Sequence, residues 1–192
     1  MSKILLGIGG GISAYKMAFV ASRLVQEGHC VRVAMSRGAL DFVGALTFEG
    51  LTGTRAILST TQIDSDGSPP HITASREAEL YVIAPATADL LGKLAAGVAD
   101  DPVCLLALAC RCPRLIVPAM NDAMWESAAV RRSVEHCAEL GFRQVGPVVG
   151  HLAEGYEAIG RMAEPEVILA AVAGCLSGTA PRPPSPISRG KK

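Results

Sequence analysis

Residues 3–8 (KILLGI) form a short apolar run that passes directly into Gly9-Gly10-Gly11, and Met17, Val20, Ala21, Leu24 and Val25 then recur at helical spacing until Gly28. A run of that length suits a strand. The i, i+3, i+4, i+7, i+8 spacing suits a helix with one buried face, and glycine ends it. Strand, tight turn and helix in fewer than thirty residues constrain everything downstream. A strand that feeds straight into a helix cannot pair with its successor through a hairpin, so it calls for parallel neighbours reached by right-handed crossovers.

The rest of the chain repeats the theme. Residues 31–35, 80–84 and 115–117 read as further strands, each separated from the next by helical spacing, and Ile168, Ala171, Val172, Cys175 and Leu176 mark a last helix that Pro165 suits as a first position. Apolar residues make up 49% of the chain and aromatics only 4%, so the core is aliphatic, as in sheets covered by helices on both faces. At 192 residues one domain is expected. The fold class is α/β: a single doubly wound parallel-sheet domain, a Rossmann-like or flavodoxin-like three-layer sandwich spanning residues 1–176.

Two segments fall outside that core. Residues 59–70 (STTQIDSDGSPP) are polar and turn-rich, a length of loop that is usually functional or mobile. Residues 177–192 (SGTAPRPPSPISRGKK) are rich in Pro, Ser and basic residues and read as a disordered tail. Eighteen basic and eighteen acidic residues are interspersed and cancel, which leaves no electrostatic footprint for nucleic acid or a membrane surface. The first apolar run is too short for a secretory signal, and no stretch approaches a membrane span. A cytoplasmic protein with reduced thiols is expected. Cys110 and Cys112 form a C-x-C without a second ligand pair, so no metal site is assigned and they read as buried bystander thiols.

The turn at residues 9–14 satisfies G-x-G-x-x-A between strand and helix, where backbone N–H groups and the helix dipole attract phosphate. Tight strand–helix packing without a ligand explains it too. A dinucleotide would want an acidic residue at the end of the second strand, and Ser36-Arg37 stands there instead. NAD is disfavoured. NADP through Arg37 fits, and so does a mononucleotide phosphate held partly by the Ser13 and Ser36 hydroxyls.

Further along, Pro85-Ala86-Thr87-Ala88-Asp89-Leu90, with Lys93 and Ala96-Gly97-Val98-Ala99-Asp100, resembles a flavoprotein segment of the form P-A-S-A-N-T…K-x-A-x-G-I-A-D-N. Pro118-Ala119-Met120-Asn121-Asp122-Ala123-Met124-Trp125 fits P-x-M-N-x-x-M-W, the signature of the homo-oligomeric flavin-containing cysteine decarboxylases. That family includes phosphopantothenoylcysteine decarboxylase and the epidermin-type peptidyl-cysteine decarboxylases. Residues 7–16 (GIGGGISAYK), residues 46–53 and His71-Ile72 look like family segments in the family's order, so the resemblance covers residues 3 to about 172.

The resemblance implies FMN as cofactor, with Gly10, Gly11, Ile12 and Ser13 at its phosphate end and Ser36 and Phe42 nearby. Thr87, Ala88, Asp89, Leu90 and Ala119 would meet the ribityl chain and ring. His71 and Asn121 look like the family's catalytic pair, and Met120, Asn121, Met124 and Glu154 would contact substrate. Taken alone, His71 reads as a surface or capping residue, Met120 and Met124 as core filler, and Asn121 as a helix N-cap. His29, His136 and His151 carry no such support. Asp100-Asp101 reads as a loop or capping pair.

The family's chemistry takes hydride from the cysteine β-carbon to the flavin. The resulting thioaldehyde lets the departing carboxylate electrons flow into an enethiolate. Residues 150–165 resemble the clamp G-x-L-A-C-G…G-R-M of the coenzyme A enzymes, but Glu154 stands where their cysteine serves the final reduction. The resemblance therefore implies oxidative decarboxylation of the C-terminal cysteine of a ribosomally made precursor peptide, with other peptide-modifying enzymes as partners. It also implies assembly as a homotrimer or dodecamer, with flavin where subunits meet. Phosphopantothenoylcysteine decarboxylation is the alternative, and a non-catalytic flavin-binding subunit a second. Asp89 and Asp101, where the family's segments carry Asn, are further departures.

Overall fold

The computed structural model describes residues 1–178. Seven strands and eight α-helices follow one another along them, with short 3-10 turns at Ile12–Tyr15 and Arg37–Asp41: β1 (Lys3–Ile8), α1 (Lys16–Gln26), β2 (Cys30–Met35), α2 (Ala45–Thr52), α3 (Pro70–Glu77), β3 (Leu80–Ala86), α4 (Ala88–Ala96), α5 (Pro102–Ala109), β4 (Arg114–Pro118), α6 (Asp122–Glu126), α7 (Ala128–Glu139), β5 (Phe142–Gln144), β6 (Val148–His151), β7 (Glu157–Arg161) and α8 (Pro165–Leu176). Five strands pair in the order β2-β1-β3-β4-β5, every pair parallel. This is the flavodoxin-like order, which settles the choice left open between two doubly wound folds. α8 ends at Leu176 with Ser177 as its C-cap, where the tail was expected to begin, and residues 179–192 lie outside the described residues.

The period of two along each strand builds the layers. Ile4, Leu6 and Ile8, with Leu80, Val82 and Ala84, face Met17, Val20 and Leu24 of α1, Phe48 of α2 and Ile168 and Val172 of α8. Leu5, Tyr81 and Ile83 face the opposite way, against Leu91 and Leu94 of α4, Val103 and Leu106 of α5 and Cys137 of α7. Tyr81 is fully buried, and its hydroxyl fills the space beside Gly7 and donates to the Val103 carbonyl at 2.9 Å. Burial holds that phenol well above its ordinary range, so it acts as a neutral donor.

Past α2, Ile57 bridges to Ala34 and exchanges backbone hydrogen bonds with Val33 and Met35, covering the open edge of β2. The polar loop at 59–70 continues from there, anchored by Arg32 to Asp64 at 2.6 Å and by Gln62 to the Ala56 carbonyl at 3.1 Å. All six cysteines are unpaired. Cys104, Cys110 and Cys137 are buried, while Cys112 is only partly covered. No helix among the described residues is long and apolar enough to cross a membrane. No group of three His, Cys, Asp or Glu among them is placed to hold a metal ion.

Asp101 is the N-cap of α5, accepting from the Val103 N–H at 2.8 Å and the Cys104 N–H at 3.4 Å, as the capping reading expects. Burial nevertheless raises its carboxyl above the ordinary aspartate value. The folded chain then keeps this proton to higher pH than the unfolded one, and stability is lost as pH rises from the ordinary value through the raised one. Asp101→Asn keeps an acceptor for the cap without burying a charge. At pH 7 it should melt higher, by about 2–4 °C for each ~1 kcal/mol relieved, and the gain should vanish in thermal scans below the ordinary aspartate range.

Candidate functional site

At the carboxyl end of the sheet, β1 and β3 send their following helices to opposite faces, and the crevice between them is where this strand order receives ligands. The turn after β1 has no room for side chains. A Cβ on Gly9 would strike the Pro85 carbonyl oxygen and lie 2.7 Å from Leu90, and one on Gly10 would lie 2.7–2.9 Å from the Gly38 backbone. Gly11 differs: its nearest neighbours would be Pro85 and Thr87 side chains at 3.7 and 3.8 Å, so the chain itself does not forbid a side chain there. The first two glycines serve packing of loop on loop. The third faces a cleft.

That cleft is about 540 Å³, within the range for small-molecule sites. One wall is Gly10 to Ser13 with Tyr15 and Lys16. Opposite lie Thr87 and Ala88 after β3, and Ala119, Met120, Asn121 and Met124 after β4. The β6–β7 hairpin and the residues flanking it supply the rest through His151 to Glu154 and Gly160 to Met162. Its seat is a close backbone contact. The Met120 N–H donates to the Gly160 carbonyl at 3.0 Å, and Gly160, at φ 135°, has the Met120 carbonyl oxygen where a Cβ would be.

Asn121 has two roles at once. Its Oδ1 accepts from the Ala123 N–H at 2.9 Å, capping α6, and this fixes Nδ2 towards the hairpin, where it donates to Glu154 Oε1 at 2.9 Å and to Tyr156 Oη at 3.2 Å. Tyr156 donates in turn to Asp122 Oδ1 at 2.7 Å, and that carboxylate pushes its phenol up. On the far wall, Glu164 ties two cations together: Lys16 Nζ at 2.8 Å and Arg161 at 2.6 and 3.0 Å. Lys16 and, second, Arg161 hold the Glu164 carboxyl below its ordinary value. Both cations line the cleft and share one carboxylate between them, so that wall carries a net positive charge, while Glu154 lines the cleft as an anion.

Of the expected site residues, Gly10, Gly11, Ile12, Ser13, Thr87, Ala88, Ala119, Met120, Asn121, Met124 and Glu154 come together here. Five stand off this cleft. Ser36 is buried, and its hydroxyl accepts from the Ala39 N–H at 3.2 Å as a cap. Leu90 packs in the core, and its N–H is spent on Thr87 Oγ1. Asp89 faces solvent and pairs with Lys93 at 3.2 Å, and Phe42 is exposed beyond the cleft. His71, on the first turn of α3 and half-buried, does not line the cleft of its own chain, and its Nδ1 is buried without a hydrogen-bond partner. The sequence reading passed over Tyr15, Lys16, His151 and Arg161. Lys16 and Arg161 lie within quoted motif segments, but only the fold shows that a shared carboxylate joins them.

Fold and cleft together define a flavodoxin-like nucleotide-binding protein with an anion-receiving crevice. The chain belongs to the Flavoprotein family, whose model matches residues 1–177. It is 40% identical over 166 residues to the coenzyme A biosynthesis bifunctional protein CoaBC of Bacillus subtilis (strain 168), covering 86% of this chain and 41% of that protein. The chain thus spans about two fifths of the length of that relative. Among solved structures it is similar to the FMN-dependent cysteine decarboxylase SpaF, with a TM-score of 0.80 and 30% identity over 94% of this chain and 98% of that one. It also resembles a phosphopantothenoylcysteine (PPC) decarboxylase C175S mutant complexed with pantothenoylaminoethenethiol, with a TM-score of 0.82 and 27% identity over 93% and 99% of the two chains. FMN is the cofactor, and the cleft fits it: at the turn Gly11 faces it with only the Pro85 and Thr87 side chains at contact distance, and Lys16 and Arg161 line the same cleft.

The seat of the hairpin is testable by itself. Gly160→Ala forces a Cβ into the Met120 carbonyl and strains a positive-φ position, so it should cost about 1–3 kcal/mol in urea unfolding. Limited proteolysis should then cut within residues 148–161 well before the wild type is cut.

Proposed function

We propose that this chain binds FMN in the cleft and oxidatively decarboxylates a cysteine that carries a free carboxylate, ending at the aminoenethiol. The substrate we infer is the C-terminal cysteine of a ribosomally made peptide. One observation carries the reading: Glu154, not cysteine, lines the cleft, and none of the six cysteines does. The last reduction, which the resembled coenzyme A enzymes assign to that thiol, has no thiol here.

FMN, when bound, would supply a two-electron sink for the β-carbon hydride of the cysteine, so that the carboxylate can leave as carbon dioxide with its bonding electrons taken up by the thiocarbonyl. The chain supplies position and charge. Gly10 to Ser13 would hold the phosphate end, and Thr87, Ala88 and Ala119 would meet the ribityl chain and ring, with Ser36 and Leu90 bracing that wall from behind and Asp89 and Phe42 outside it. Asn121, oriented by its own cap, would present Nδ2 to the substrate carboxylate or neighbouring amide between Met120 and Met124. His71 would move the proton, entering from a neighbouring copy. Support for a shared site comes from its place off the cleft of its own chain, and from Ile12, Tyr15, Phe19, Phe42 and Leu46, which remain exposed.

A second reading is phosphopantothenoylcysteine decarboxylation. By sequence similarity it is the better supported of the two, since curated relatives near 40% identity are coenzyme A biosynthesis proteins. Electron bookkeeping separates them. An enzyme that stops at the enethiol leaves each turnover with reduced flavin. Anaerobic mixing with a cysteine-ending peptide should bleach the visible flavin band once, with one carbon dioxide per flavin, and air should restore colour and turnover. The product should lack carbon dioxide and two hydrogens. Repeated anaerobic turnover of phosphopantothenoylcysteine to a saturated thiol would establish the second reading instead.

The shared site predicts complementation. His71→Asn and Asn121→Ala should each keep FMN and lose at least ~100-fold in decarboxylation. Co-assembled one to one, they should recover roughly a quarter of wild-type activity, because interfaces of a cyclic oligomer then join one intact His71 to one intact Asn121. No recovery in a verified mixed oligomer would place both residues in one chain's site.

A further inference from the structure

The tip of the β6–β7 hairpin brings a carboxylate to the group expected to receive one. Asn121 has two amide N–H groups, and both are taken, one by Glu154 Oε1 at 2.9 Å and one by Tyr156 Oη at 3.2 Å. The Tyr156 proton is committed to Asp122 at 2.7 Å, so its oxygen can only accept from Asn121. The Asn121 carbonyl is spent on the Ala123 N–H. With the hairpin in this position Asn121 has no donor left for a ligand.

Glu154 is held lightly. It is exposed, and it makes none of the salt bridges among the described residues, while Lys16 and Arg161, which line the cleft, are both bound to Glu164 instead. Its charge therefore rests on a neutral amide, in the place where a substrate carboxylate would be received. We infer that Glu154 is a specificity-determining residue that occupies the carboxylate subsite at Asn121 and must be displaced by the incoming carboxylate. This rests on the reading of Asn121 as the carboxylate receiver. It follows that a small cysteine derivative has little beyond its own carboxylate to set against Glu154. A longer substrate can lie along the exposed hairpin, where Val149 and Tyr156 offer contact area, and recover the cost there. The subsite thus favours a peptide over a compact substrate.

The FMN-loaded full chain can be titrated with the tripeptide Ala-Ala-Ser as the free acid and as its C-terminal amide. Binding is followed calorimetrically and by perturbation of the flavin spectrum. Serine removes the thiol that would react. Glu154→Ala should bind the acid about tenfold more tightly than wild type and the amide within twofold of it, the gain of freeing one charge-assisted site. Glu154→Gln, which keeps an acceptor but not the charge, should show a smaller gain for the acid alone. Circular dichroism and flavin content verify that each variant is folded and loaded. Equal tightening of acid and amide would mean the hairpin only covers the cleft, and weaker, unchanged or undetectable acid binding in Glu154→Ala would equally overturn the inference. A wild type that releases no carbon dioxide from any cysteine-ending substrate would instead sink the proposed function, and the acid-to-amide comparison would still decide the subsite.

Discussion

Backbone meets backbone where β1 ends, and the cleft depends on that contact. Gly9 lies against the Pro85 carbonyl and Gly10 against Gly38, so the loops after β1 and β2 and the end of β3 share one small volume that a Cβ on either glycine would overfill. Because these segments are fixed by packing, the wall of the cleft formed by Gly10 to Ser13 is set without help from a ligand. Such preorganisation spares binding the cost of ordering the loops. Gly160 repeats the device at the other end of the site, letting the β6–β7 hairpin rest on the Met120 carbonyl. Glycine contacts at both ends, Gly9 and Gly10 at one and Gly160 at the other, therefore set the spacing of the phosphate turn and the hairpin.

Charge is arranged on that frame with an asymmetry. Lys16 and Arg161 share Glu164, so the cation pair is held together by a carboxylate that does not itself line the cleft. Glu154 lines it and is matched only by the neutral Asn121 and its neighbours. A cation pair draws anions to one wall while a loosely held anion guards the other. That polarity orients a ligand with an anionic group at one end better than either feature alone.

Much of this was legible in residue order. The four strands read from apolar runs at 3–8, 31–35, 80–84 and 115–117 are all present, within a few residues of the expected ends, because a strand buried on both faces has to be apolar throughout. β5 was not legible, since three residues carry no periodicity. The β6–β7 hairpin was recognisable only by its likeness to a clamp, because β6 is largely exposed, β7 is only partly buried, and neither shows apolar alternation. In the site, the G-x-G-x-x-A turn and the P-x-M-N-x-x-M-W segment do converge, though they lie more than a hundred residues apart. Ser36 and Leu90 illustrate what a motif omits: a residue inside a ligand-binding segment is often the one that holds the segment in place. The pairing of Lys16 with Arg161 through Glu164 spans about 145 residues and has no local signal at all.

Asn121 shows why the bland and the functional readings of one residue need not compete. As an N-cap it commits Oδ1 to the α6 backbone, which removes the ambiguity of which way its amide points and leaves only N–H donors facing the cleft. A cap is thus the means by which the site obtains an oriented donor. Aspartate would cap equally well and offer no N–H, and alanine would do neither. On the proposed role of Asn121, asparagine serves helix termination and anion recognition together, and the same amide that ends a loop and starts α6 meets Glu154 across the cleft. Whatever binds there must exchange with a contact that the fold has already made. On that proposed role, selectivity at this position is a difference between two carboxylates competing for one amide, not the strength of either alone.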